Sequence, residues 1–179
     1  MNRFFQKEVL LIFLVIAIGG VFRFYKLDWG QGLFTHPDEY HIVTSVNQLS
    51  FPTQMHPHFF SYGTVTIYLI YFTQEFFNFL SAIHNSQFII PNTFIIGRFY
   101  SALFSTLTVF IIYQISRLFM NKDLSYTAAF LVALTPGLIQ QAHFATPESI
   151  QTFFLFLSLF FMIKFIKRDL ILNLAVSSI

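Results

Sequence analysis

The sequence predicts an all-α polytopic membrane protein, and three observations carry that prediction. Only 10% of the 179 residues are charged, against 55% hydrophobic and 20% aromatic, where a soluble domain carries roughly a quarter charged. Mean hydropathy is +0.64, so the chain has too little polar surface to stay in water and its main solvent is lipid. Four apolar stretches reach the roughly 17 to 25 residues that a helix needs to cross a bilayer: Val9 to Phe24, Phe94 to Phe119, Leu124 to Ala142 and Ile150 to Ile166. The bilayer is therefore a partner. A net charge of +2, scattered along the chain, is too small to track a phosphate backbone, so nucleic acid is not. With no cysteine, there is neither a disulfide framework nor a thiolate metal site, and any metal must be held by histidine or carboxylate.

Arg3 and Lys7 precede the first stretch as in a signal peptide, but the segment continues through Arg23-Phe24-Tyr25 with no small-residue cleavage pattern. It reads as an uncleaved anchor. The outer loop from about Lys26 to Thr93 is the only sizeable polar part. Within it Ile42, Val43, Val46 and Leu49 recur at helical spacing, while His41, Thr44, Ser45, Asn47 and Gln48 fill the other face. That pattern predicts an amphipathic helix lying on the membrane, ended by Phe51-Pro52 because the residue before proline leaves the helical region.

A fifth apolar stretch, Gly63 to Ile83, is interrupted by Gln74, Glu75 and Asn78. Whether it crosses sets the topology. If it does not, Arg3, Lys7, Arg117, Lys122, Lys164, Lys167 and Arg168 lie inside, against Arg23, Lys26 and Arg98 outside. If it does, the seven-to-three excess reverses, contrary to the preference of cytoplasmic loops for Lys and Arg. The stretch is therefore expected to be an interfacial helix or re-entrant hairpin on the outer face. The three later spans are joined by Asn121-Lys122-Asp123 and by His143 to Ser149. Beyond the basic cluster Lys164 to Arg168, an apolar run opens at about residue 170. It reads as the start of another span, and the chain as the amino-terminal part of one larger transmembrane domain.

This topology puts two acidic sites on the outer face, Thr35-His36-Pro37-Asp38-Glu39 and Thr146-Pro147-Glu148. Threonine, proline and an acid also form the usual grammar of a helix amino terminus, so capping competes with chemistry at both. Ionisable groups facing one polar cavity at the ends of spans suggest substrate or ion handling. Histidines gather nearby, and His56-Pro57-His58 offers two ring nitrogens for a possible divalent metal, hydrogen bonding being the alternative. Arg98, at the outer end of the second span, either snorkels to the headgroups or clamps a phosphate with its bidentate fork. Trp29 and the tyrosines suit the interfacial aromatic belt.

Four stretches in this order, across positions 22 to 168, resemble the GT-C class of polyprenol-dependent membrane glycosyltransferases, which includes protein O-mannosyltransferases and aminoarabinose transferases. They are Phe34-Thr35-His36-Pro37-Asp38-Glu39, His56-Pro57-His58-Phe59-Phe60, Gly97-Arg98-Phe99 and Ala142-His143-Phe144-Ala145-Thr146-Pro147-Glu148. Glu148 stands where the class commonly has Asp, and His58 where it usually has a second proline. The resemblance implies GT-C-like transmembrane helices, with interfacial helices in the long first outer loop. It also implies an inverting glycosyltransferase that moves a hexose or pentose from a polyprenyl-phosphate donor to a protein or lipid glycan acceptor. The work would be done on the non-cytoplasmic face of the plasma (inner) membrane, and this amino-terminal part would be inactive alone. Asp38 and Glu39 are the implied catalytic residues, with Asp38 as base, and Arg98, Glu148 and His56 the implied substrate contacts. The competing readings are a transporter or channel subunit, against which no span carries a mid-membrane acid, and a non-catalytic membrane subunit.

Overall fold

The computed structural model describes residues 3–30, 36–84 and 91–177, with side chains except those of 3–6, 84 and 169–177. Among the described residues seven helices follow one another: α1 Arg3–Phe24, α2 Pro37–Asn47, α3 Val65–His84, α4 Thr93–Ser116, α5 Lys122–Ala133, α6 Pro136–Gln141 and α7 Glu148–Ser177. The architecture is that of an all-α membrane protein. Among the described residues, Thr93–Ser116 and Glu148–Arg168 are long and apolar enough to cross a bilayer.

Helix α4 is the hub, packed against α1, α2, α3, α5, α6 and α7. Its 24 residues make a rod of about 36 Å, and small side chains let its neighbours come close. A Cβ on Gly97 would lie 2.6 Å from the Ala145 Cβ, nearer than two carbons can sit. In lipid, where apolar contact alone does little to hold helices together, such close approach supplies the dispersion contacts that do. Two apolar clusters result. One joins Ile42, Val46 and Leu49 to Ile67, Ile70, Tyr71 and Ile96; the other joins Val109 and Tyr113 to Ala129 and Ala133.

Helix α2 appears with its expected apolar face buried, but it ends at Asn47, and Ser45 from the expected polar face is buried too. Two expectations change, and the choice between helix and hairpin for the fifth apolar stretch falls to the helix. Leu124 to Ala142 is not one helix, because Pro136 has no N–H to donate and its ring obstructs the preceding turn; α5 stops at Ala133 and α6 restarts at Pro136. Gly63 to Ile83 contains no hairpin but a single 20-residue helix, α3. No break occurs near residue 170, since α7 runs unbroken through the basic cluster to Ser177.

The helix break explains a buried cation. Arg23, 0% exposed, leaves the last turn of α1 and donates from Nη1 to the carbonyls of Gly19 and Ala133, from Nη2 to Val132 and from Nε to Ser105 Oγ. It thereby answers carbonyl groups that the end of α5 leaves without helical partners. At the opposite end of the bundle, Lys122 pairs with Glu8 and Lys167 donates to the Leu118 carbonyl. These contacts gather the start of α1, the α4–α5 turn and the basic part of α7.

Candidate functional site

The site forms where α2, the start of α4 and the α6–α7 connection meet. His36 caps α2, its Nδ1 accepting from the Asp38 backbone N–H at 3.3 Å. The expected capping residue, Thr35, lies outside the described residues. Pro37 fits the first helical position because its missing N–H would have no helical partner there. Asp38 and Glu39 follow, and successive side chains on a helix diverge by about 100°. One turns inward and the other stays partly exposed.

Glu39 is the inward one and is 0% exposed. Its Oε1 accepts from Arg98 Nε at 2.8 Å and from the Ala145 N–H at 2.6 Å, and its Oε2 accepts from Arg98 Nη2 at 3.0 Å. Arg98, 4% exposed, also donates from Nη1 to the carbonyls of Leu27 and Trp29 at 2.9 and 2.8 Å. Its guanidinium carbon lies 4.8 Å from the Trp29 ring centre, a cation–π distance. Four of the five Arg98 N–H groups are thus engaged within the protein. Glu39, sealed off and paired on both oxygens, fastens α2, α4 and the α6–α7 connection.

Asp38 remains half-buried and reachable. Its Oδ1 accepts from the Tyr62 hydroxyl at 2.9 Å, and its Oδ2 lies 3.8 Å from His36 Nδ1, beyond hydrogen-bond reach. The Tyr62 phenol is pushed above its ordinary value, first by the hydrogen bond to Asp38, then by burial, then by the charges of Asp38 and Glu148. Glu148 opens α7 and accepts from Gln141 Nε2 at 3.0 Å, the same nitrogen that reaches the Thr146 hydroxyl at 3.0 Å. The two acidic stretches are neighbours in space, since the His36 ring lies 4.7 Å from that of Phe144 and Glu39 accepts from the Ala145 N–H, although 110 residues separate Asp38 from Glu148.

His56 and His58 stand apart on the exposed loop, their rings 4.2 Å centre to centre. His56 Nδ1 faces the His58 N–H and His58 Nε2 faces Gln54. No three His, Asp or Glu side chains among the described residues come together as a metal cage. Sequence reasoning missed Tyr62, Gln141 and Trp29. Trp29 joins the site directly: its indole N–H donates to the His143 carbonyl at 2.9 Å, and its ring meets Phe144 edge-on at 5.5 Å. No single-residue signal separates such a tryptophan from a belt residue.

A groove of about 760 Å³ runs beside this site between α3 and the first two turns of α4, lined by Tyr68, Phe72, Phe76, Pro91, Ile95, Phe99 and other largely apolar residues. The Thr73 and Tyr100 hydroxyls, 2.6 Å apart, form a polar pair on its wall.

Comparison with known proteins adds a family to this geometry. No curated protein and no solved structure matches the chain. A family model described as dolichyl-phosphate-mannose-protein mannosyltransferase matches residues 80–178, a stretch that begins within α3 and carries Arg98, Gln141 and Glu148. With more than half of its length covered and an all-α membrane architecture, the chain belongs to the dolichyl-phosphate-mannose-protein mannosyltransferase family, membrane glycosyltransferases of the GT-C kind.

Proposed function

We propose that the protein transfers a sugar from a polyprenyl-phosphate donor to a hydroxyl of a protein or lipid glycan acceptor, with inversion, on the non-cytoplasmic face. The observation that carries this reading is Asp38: an accessible carboxylate with one oxygen free, held on a helix whose next residue is fastened into the core. In the proposed step the acceptor oxygen attacks the anomeric carbon from the side opposite the phosphate. Asp38 Oδ2 takes the hydroxyl proton as the new C–O bond forms, and the anomeric carbon–phosphate oxygen bond breaks to release polyprenyl phosphate. Glu148, oriented by Gln141, supplies an acceptor for sugar hydroxyls. The groove between α3 and α4 offers the apolar surface that a polyprenyl tail requires. His56, on the exposed loop, is positioned to meet a substrate arriving from the aqueous side.

The orientation draws support from the two ends of the bundle. Arg23 and Arg98 are occupied inside the protein, which leaves Lys26 as the outer basic residue and sharpens the bias toward the other end. Among the described residues, helix α3 meets α4 along Pro91 to Tyr100, as an interfacial helix crossing the end of a span would.

The test is turnover of Asp38→Asn in the intact protein, reconstituted in vesicles with radiolabelled polyprenyl-phosphate sugar. The amide keeps the shape but takes no proton at neutral pH. Turnover is expected to fall about 100- to 10,000-fold with donor affinity retained. A rate within a few-fold of wild type would remove Asp38 from the mechanism.

A further inference from the structure

The two oxygens of Asp38 are not equivalent. Oδ1 carries the hydrogen bond from Tyr62. Among the described residues no donor is within hydrogen-bond reach of Oδ2: His36 Nδ1 lies 3.8 Å away and accepts from the Asp38 backbone N–H. Tyr62 is itself aimed. Its ring lies edge-on to Phe59 at 5.4 Å, and Phe59 stacks nearly parallel on His41 at 5.5 Å. The turn behind it closes with the Gly63 N–H on the Phe60 carbonyl at 3.1 Å, and Gly63 has φ +75°, a conformation that a residue with a Cβ rarely adopts. A side chain whose ring rests on Phe59, beside a fixed turn, and whose hydroxyl meets one carboxylate oxygen is placed to hold it.

We propose that Tyr62 is a positioning residue for the transfer reaction: its hydroxyl fixes Oδ1 of Asp38 and leaves Oδ2 as the oxygen that receives the acceptor's proton. The assignment rests on Asp38 being the base. The balance of the step is unchanged, with the proton passing from the acceptor hydroxyl to Oδ2 and Tyr62 keeping its own. The charged and titratable groups around Asp38 are compatible with this. The hydrogen bond to Asp38, then burial, then the charges of Asp38 and Glu148 push the phenol above its ordinary value, and His36 Nδ1 is turned to the Asp38 backbone N–H. Glu39 on the same helix is paired with Arg98 of α4.

The experiment compares Tyr62→Phe, Asp38→Asn and the double variant in the intact protein, in vesicles with labelled polyprenyl-phosphate sugar, reading kcat, donor KM and the rate–pH profile. Loss of a hydrogen bond to a charged group predicts that Tyr62→Phe lowers kcat about 10- to 100-fold. Donor KM is expected to stay at its wild-type value, and the acid limb to move to higher pH, since the ionised carboxylate loses a donor. In the Asp38→Asn background the second substitution is expected to cost almost nothing further, because residues acting as one unit are not additive.

An Asp38→Asn enzyme that is inactive beside a Tyr62→Phe enzyme with wild-type kcat and profile would overturn the role of Tyr62 and leave the base intact. A full additional loss in the double variant would mark Tyr62 as packing and overturn the proposal. A fully active Asp38→Asn enzyme would remove the base, and the positioning role with it.

Discussion

Replacing Arg98 by leucine tests whether the Glu39–Arg98 pair holds the site together. The substitution deletes two hydrogen bonds to Glu39 and two to the carbonyls of Leu27 and Trp29, leaving Glu39 with the Ala145 N–H as its remaining partner. An ionised carboxylate sealed from solvent with one donor is strongly disfavoured, and removing one member of a buried pair costs about 3–5 kcal/mol. For a protein of this size that corresponds to a drop in melting temperature on the order of 10 °C, readable as loss of monodisperse protein after heating in detergent. Arg98→Lys keeps the charge but replaces a planar fork with a point donor, so an intermediate loss is expected. Glu39→Leu combined with Arg98→Leu removes both charges and should recover much of the stability, since neutral packing can replace a buried pair. A phosphate clamp would behave differently, with donor affinity falling while the melting temperature stayed fixed. Wild-type stability of Arg98→Leu, or strictly additive losses in the double variant, would refute the fastening role.

Gly97→Val should force α4 away from Ala145, because even its Cβ would sit 2.6 Å from that residue's Cβ. The expected loss is about 1–3 kcal/mol, checked by thermal denaturation. Arg23→Met leaves Ser105 and the Val132 and Ala133 carbonyls without their cation. It should cost on the order of 1–3 kcal/mol, with hydrogen exchange quickening first at Leu134 and Thr135, where α5 breaks. For the orientation, a cysteine introduced at Gln54 is expected to react with an impermeant thiol reagent in intact cells, and one at Asn121 only after the membrane is opened. The reverse pattern would invert the topology.

What the sequence made legible was short-range or summed over many residues. The apolar stripe of α2 shows because positions three and four apart share a face, and the membrane class shows because a charge deficit accumulates along the whole chain. The break in α5 had a local signal in Pro136, but the hydropathy of Leu124 to Ala142 outweighed it. What could not be read was pairing. Glu39 and Arg98 are 59 residues apart, and each looked like an independent site residue because nothing local announces that one neutralises the other. Tyr62 was concealed differently. A tyrosine near a membrane surface has a sufficient reason to be there, and only its 2.9 Å contact with Asp38 distinguishes it.

The contrast between Asp38 and Glu39 follows from helix geometry rather than from their chemistry, which is nearly the same. A turn of about 100° between neighbours lets Glu39 enter the core while Asp38 stays partly exposed. Glu39 draws α2, α4 and the Ala145 N–H together at a single carboxylate. Because α4 lies against α7 and the Ala145 backbone stands three residues before Glu148, this one fastening also sets where the second acid comes to rest. Exchanging the order of the two residues would preserve composition and charge but place the shorter side chain at the buried position, where it falls one methylene short of Arg98. Asp38→Glu combined with Glu39→Asp is therefore expected to lose both stability and turnover, although each substitution alone is conservative. Normal melting and normal turnover in that swapped protein would show that the site needs two acids and not this division of labour between them.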